Sequence, residues 1–265
     1  MTDPSLMTLL AVLIVSAVSL VGVAAFAIST TLLKRTLFAL VGLAAGALLG
    51  DAIIHLIPES LEALSDERVF GITVLSGVLF FFILEKYLRW HHAHHGAEEE
   101  HEGHEHYEIG SHSEGSRAHI APLVIIADGL HNAVDGAVIA GSFLISPALG
   151  IATTAAVFLH EIPQEISDYA LLVHSGLSRG RALFLNFLSG LTAFLGALAV
   201  LLLNDSLEGV GAYAAAFTAG AFIYLAATDL IPELNRTTDN KRSILGLVTF
   251  LVGIGLMLAL TLVEV

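Results

Sequence analysis

Eight stretches of about twenty apolar residues dominate this chain, at roughly 6–28, 37–58, 69–90, 119–144, 149–173, 182–203, 210–231 and 244–263. Each is long enough to cross the ~30 Å hydrocarbon core of a bilayer as a helix. No water satisfies the backbone at that depth, so a spanning segment is either a helix or a strand of a closed barrel. The runs are rich in Leu, Ala, Val and Phe and lack strict two-residue alternation, so they read as helices. The expected fold is an all-α polytopic membrane protein with eight transmembrane helices. A mean hydropathy of +0.81 and only 14% charged residues agree, and 265 residues leave little for a soluble domain.

Only Asp3, and no Lys or Arg, precedes the first run, which is too long for the apolar region of a signal peptide, so it is expected to be retained as a helix. Orientation follows from the basic residues. Lys34 and Arg35 fall between runs one and two, Lys86, Arg89 and Arg117 around the connection from three to four, Arg179 and Arg181 between five and six, and Arg236, Lys241 and Arg242 between seven and eight. Ten of the 11 share one side, Arg68 being the exception, so the positive-inside rule puts both termini outside and those four connections in the cytoplasm. One missed helix would scramble this parity. The net charge of −14 does not describe a uniformly acidic surface, because seven of the 25 carboxylates sit in one loop and others lie within or at the ends of runs. Nucleic acid is not an expected partner. With no cysteine, any metal chemistry must use His, carboxylate and amide ligands.

Residues 46–59 (GALLGDAIIHLIPE) and 220–233 (GAFIYLAATDLIPE) align without a gap and match at seven of fourteen positions. Helices two and seven therefore look like copies. Five helices apart, they cross in opposite directions, which predicts an inverted repeat of helices 1–3 and 6–8 around helices 4–5. In transporters a site near the midplane accompanies such a repeat. The plainer account of the shared Pro-Glu pairs is that they terminate two helices.

Two runs carry ionisable groups at membrane depth, where each costs several kcal/mol and marks a functional site by default. In helix four, Asp128, His131 or Asn132, and Asp135 are spaced for one face; in helix five, His160, Gln164 and Asp168 are, with Glu161 and Glu165 on an adjoining face. The connection at 145–148 is short, so the two helices are antiparallel neighbours and His131 should meet His160. Pro163 removes a hydrogen bond to Leu159 and should kink helix five, and Gly129, Gly136 and Gly141 suit close helix packing. Isolated polar residues often pair as glue between helices. Here nine polar side chains include two imidazoles and no Lys or Arg, so the carboxylates need a cation or protons to neutralise them.

At these residues the chain resembles the ZIP (Zrt/Irt-like) divalent-metal transporters. The motifs are His131-Asn132-x-x-Asp135-Gly136 and His160-Glu161-x-Pro163-x-Glu165 followed by Asp168, with Asp51, His55 and Pro58-Glu59 in helix two and Asp229 and Pro232-Glu233 in helix seven. The resemblance covers nearly the whole chain and implies a single transmembrane domain over 1–265. It implies a binuclear site: His131, Asp135, His160 and position 164 around one ion, and Asn132, Glu161 and a polar residue of helix six, Asn186, around the other. The family usually has His or Glu at position 164; Gln164 is neutral and cannot bridge two cations as a carboxylate does. The resemblance further implies an elevator-like motion of helices 1, 4, 5 and 6 against 2, 3, 7 and 8, and a homodimer. Asp51 and His55 become outer-side ligands and Asp229 with Glu233 inner-side ones.

Between His91 and His119 lie nine of the 13 histidines and seven glutamates. Such a composition is expected to be a disordered cytoplasmic loop over 91–118, binding zinc-like ions weakly or serving as a solvated linker. The expected function is secondary transport of zinc, or of Fe, Mn or Cd, into the cytoplasm, with the ion as substrate and no cofactor; no nucleotide-binding motif is present to drive a pump. His160-Glu161-Ile-Pro-Gln164 also looks like a truncated H-E-x-x-H, the mark of an intramembrane metalloprotease, but the second His is missing and Pro163 distorts the helix. A metal sensor or buffer built on the His loop leaves the intramembrane carboxylates unexplained. Small size and the lack of an ectodomain fit a bacterial cytoplasmic membrane.

Overall fold

The computed structural model describes residues 3–21, 30–94, 120–204 and 209–262. Among these residues the chain forms eight long helices and no strand. Helix α1 runs over Pro4–Ser16 and tightens into a 3-10 turn, Ala17–Val21. Helix α2 comprises Thr30–Gly50, a π-helical segment Asp51–Leu56 and Ile57–Leu64; α3 is Glu67–His94, α4 Ile120–Ile145 and α5 Pro147–His174. Helix α6 comprises Arg179–Gly190 and Thr192–Asn204, α7 comprises Val210–Leu225, a π-helical segment Ala226–Leu230 and Ile231–Asn235, and α8 is Asn240–Leu260. Seven of the eight are long and apolar enough to cross a membrane. The eighth, α5, carries Glu161, Glu165 and Asp168 within its 28 residues. From position 95 the histidine-rich segment lies outside the described residues, as do 22–28 of the first expected span; positions 91–94 continue α3.

Local chemistry sets the helix ends. Ser146 alone separates α4 from α5, and its hydroxyl accepts the Leu149 amide while Pro147 opens the next turn, where a missing N–H costs nothing. The two helices are thus an antiparallel hairpin. Helix α8 starts the same way, with Asp239 accepting from the Lys241 amide.

The Pro-Glu pairs do not terminate their helices. Upstream of Pro58 the Ile57 amide reaches back to the Ala52 carbonyl, and upstream of Pro232 the Ile231 amide reaches back to Ala226. Each proline removes a donor from the ladder, and a wider i→i−5 turn lets the helix run on. The two π turns overlap in five columns of the 46–59 and 220–233 alignment, 52–56 against 226–230. The packing matches as well. Helix α2 lies along α8 and α3 along α7. A Cβ on Gly46 would strike the Phe250 carbonyl and one on Gly253 that of Leu43; a Cβ on Gly220 would strike the Val74 carbonyl and one on Gly77 that of Phe217.

Helix α1 packs on α4, α5 and α6, and α4 and α5 in turn meet α7 and α2. Between lipid-embedded helices there is little hydrophobic drive, so fit and buried hydrogen bonds hold the bundle. Ile139, Leu149 and Val157 are fully buried on the side of the α4–α5 turn. Helix α6 is interrupted at Leu191, where Ser16 donates to the Gly190 carbonyl at 2.8 Å and Thr192 to the Gly129 carbonyl at 2.5 Å. Hydroxyls from neighbouring turns thus satisfy backbone that lipid cannot.

Candidate metal centre

A four-residue helical spacing puts His131 and Asp135 on one face of α4, and the hairpin sets them against His160 and Glu161 of α5. His131 Nε2 and His160 Nε2 lie 3.3 Å apart. Asp135 Oδ2 is 3.6 Å from His131 Nε2 and 3.2 Å from His160 Nε2, and Glu161 Oε1 is 3.4 Å from each. All four residues are buried, His131 the least so at 7% exposed. Zinc ligands at ~2.05 Å in a tetrahedron stand about 3.3 Å from one another. Five of the six edges of such a tetrahedron are therefore already close to that length, at 3.2–3.6 Å.

The chemistry agrees with the shape. His160 Nδ1 lies 3.2 Å from the Ala156 carbonyl, which fixes that nitrogen as the protonated one and leaves Nε2 a lone pair for the centre. Asp135 Oδ2 and both Glu161 oxygens find no hydrogen-bond partner among the described residues. Two buried carboxylates, when ionised, supply the two negative charges that a dication would cancel. Rings from the other helices close the cluster: Phe81 of α3 stands edge-on to His131 at 5.8 Å and Phe222 of α7 to His160 at 6.1 Å.

Glu161, expected around the second ion, stands with the tetrad through Oε1. Asn132 donates to Asp128 Oδ1 at 2.8 Å, with Ser189 donating to Oδ2, and Asn186 donates to Glu165 Oε2 at 2.5 Å and to the Ser19 carbonyl at 3.1 Å. Asn132 and Asn186 therefore spend their amide groups on carboxylates, and each keeps a buried Oδ1 without a partner. Gln164 lines both the cavity that reaches His160 and the one that reaches His131. Asp51 and His55 form a buried pair at 3.1 Å in the first π segment, Glu59 accepts from Ser146 at 3.5 Å, and Glu233 pairs with Arg236 at 2.9 Å on an exposed turn. Asp229 lines both cavities and Asp168 one. The sequence reading missed Phe81, Phe222, Ser189, Glu85 and Tyr224; Glu85 alone carried a signal, as a carboxylate near the end of a run.

The family model described as "ZIP Zinc transporter" matches residues 3–261. The chain belongs to the ZIP family. Among curated ZIP proteins it is 32% identical to Caenorhabditis briggsae zinc transporter zipt-7.1 over 85% of this chain and 71% of that protein, and 30% identical to Pongo abelii zinc transporter ZIP13 over 84% and 66%. Mouse zinc transporter ZIP4 is 31% identical over 75% of this chain but 38% of its own length. This ZIP protein thus spans between about two fifths and seven tenths of these relatives.

Proposed function

We propose that this ZIP protein is a secondary transporter that carries zinc, or a similar divalent ion, into the cytoplasm through the His131–Asp135–His160–Glu161 tetrad. The observation that carries the reading is the tetrahedral spacing of four buried ligand atoms on two adjacent helices. Mixed imidazole and carboxylate ligands suit zinc and admit Fe²⁺, Mn²⁺ and Cd²⁺. Glu161 belongs to this cluster, so the His160-Glu161 pair supplies two ligands rather than a zinc ligand and a free base, and transport is favoured over proteolysis.

Access from outside runs past Asp51 and His55, and release is on the side of the basic loops, where the cavities lie. The matched π turns and reciprocal glycine contacts support helices 1–3 and 6–8 as an inverted repeat, with α1, α4, α5 and α6 moving against α2, α3, α7 and α8 in an assembly of two copies. Asn132, Asn186, Glu165 and Asp168 are a hydrogen-bonded and acidic neighbourhood of the tetrad, and Gln164 gives it no second bridging charge, so one ion is carried at a time.

Radioactive zinc uptake into proteoliposomes tests the reading. Asp135→Asn and Glu161→Gln each remove one of two compensating charges and are expected to lower uptake by at least about tenfold; uptake equal to the parent's by both variants rejects the tetrad as the transport site. Gln164→Glu adds a carboxylate beside the tetrad and is expected to tighten zinc binding by about tenfold while slowing release, read by calorimetry and by turnover.

A further inference from the structure

Away from the tetrad, a groove of about 510 Å³ runs between α1 and α5, with Phe143 of α4 beside it. On α1 it is lined by Met7, Leu10, Ala11 and Ile14, and on α5 by Ile151, Thr154, Ala155 and Phe158. Both sets have the same i, i+3, i+4, i+7 spacing, one helix face over two turns. Helices one and five cross in the same direction, so two matching stripes stand side by side for about 10 Å, seven residues at ~1.5 Å each. Alanine takes the third position of each stripe, at Ala11 and Ala155, and the two short side chains leave the space open. Thr154 brings a hydroxyl to the lining, but it donates back to the Gly150 carbonyl at 2.5 Å, so its proton is spent inside α5.

We propose that this groove is a binding site for one acyl chain of a membrane lipid, lying lengthwise along α1 and α5. Depth is the first argument. The apolar span of α1 starts at Pro4, so Met7 to Ile14 lie about 5 to 15 Å along it, at the level of lipid tails rather than headgroups. Apolar walls give water no partner, and an empty groove forfeits dispersion contacts along its whole length. A helix of a second copy, 10–12 Å across, would need about 1,000 Å³ over the same ~10 Å, roughly twice the space present. A single hydrocarbon chain is the component of the medium that is long and narrow enough. Hydrophobicity does not select it, since lipid tails are as apolar as the walls; fit does, because the chain touches α1, α5 and Phe143 together instead of one helix face. Phe158 and His160 point about 200° apart around α5. The chain therefore braces α1 against the back of the helix that carries His160 and Glu161, without reaching the ion.

The test is photolabelling of the full chain in phosphatidylcholine nanodiscs that contain phosphatidylcholine with a diazirine midway along one acyl chain, the adducts being located by peptide mass spectrometry. Leu10, Ile14 and Ile151, 53%, 56% and 49% exposed, are compared with Leu195 and Leu202 of α6 and Leu251 of α8, which are at least as exposed at 66%, 71% and 56%. The groove residues are expected to carry at least about threefold more adduct per residue. This comparison needs no substitution. Ala155→Leu and Ala11→Leu each place a larger side chain in the groove and are expected to cut labelling there at least about threefold, with labelling of α6 and α8 unchanged. Equal labelling of the groove and of the α6 and α8 faces in the parent overturns the proposal, as does parent-like groove labelling in both filled variants. The chain has no cysteine, so Ile14→Cys adds a single thiol; a disulfide-linked dimer of that variant, with the parent's groove unlabelled, assigns the groove to a second copy and equally overturns the proposal.

Discussion

His160→Ala is expected to weaken zinc binding by at least about a hundredfold and to bring uptake to background, the largest loss for a single side chain in this protein. A hundredfold is about 2.7 kcal/mol. Removing only an outer-shell partner of a metal ligand already costs 10- to 100-fold, and His160 is a direct contributor to the tetrahedron. Its loss leaves three ligand atoms and opens that corner to the cavity beside Pro163 and Gln164, from which water replaces a fixed nitrogen with a mobile oxygen. It also removes the group 3.2 Å from Asp135 Oδ2, so the emptied site is strained by two close carboxylates. Gln164→Ala is the comparison. It removes a neutral amide from the cavity walls that reach His160 and His131 and is expected to cost less than tenfold. Calorimetric titration with zinc chloride reads both, and equal effects from the two variants would remove the tetrad from its central place.

How far the sequence reveals this site depends on which rule applies. The period of a helix puts His131 and Asp135 on one face, and a one-residue turn at Ser146 makes α4 and α5 antiparallel, so the meeting of His131 and His160 is legible from spacing alone. The assignment of Glu161 is not. Next to His160 it points about 100° around the helix, and only the width of the facing helix lets its longer side chain swing into the same cluster. Asn132 is drawn away by a bond with Asp128 one turn back, a competition that spacing permits but does not decide. The aromatic lids Phe81 and Phe222 are invisible among 14 phenylalanines, most of which suit lipid equally well.

The fold is legible in the same uneven way. Long apolar runs and the distribution of basic residues give eight helices, including the polar α5. What they do not give is the local geometry at Pro58 and Pro232. A missing N–H can be met by ending the helix or by widening one turn, and the choice is made by neighbours that hold the next turn in register. The interruption of α6 at Leu191 has no proline to announce it; Gly190 leaves room and Ser16 of α1 supplies the hydrogen bond.

Gly220→Val is expected to prevent recovery of a folded, monodisperse protein, and Gly46→Val to do the same. At each position a Cβ lands on a backbone carbonyl of the facing helix, Val74 for Gly220 and Phe250 for Gly46. A side chain can turn aside, but a carbonyl inside a helix moves only with the helix. Separating α3 from α7 also breaks the Tyr224–Glu85 bond and lifts Phe81 and Phe222 from the tetrad imidazoles. In a bilayer the lost contacts are not replaced by a hydrophobic gain elsewhere, since lipid tails are as apolar as the helix surface. Loss on the order of 4 kcal/mol or more follows, in the range reserved for severe overpacking. Gly71→Ala and Gly255→Ala meet nothing within 4 Å and are expected to shift stability by about 0.5 kcal/mol or less. Thermal unfolding followed by size-exclusion chromatography in detergent separates these outcomes. The pairing of the two severe positions is itself informative: Gly46 and Gly220 share one column of the internal alignment but bind α8 and α3 respectively. Comparable losses at both mean that the two halves of the bundle rest on the same contact used twice; a severe loss at one and tolerance at the other means that the repeat persists in sequence without sharing the load.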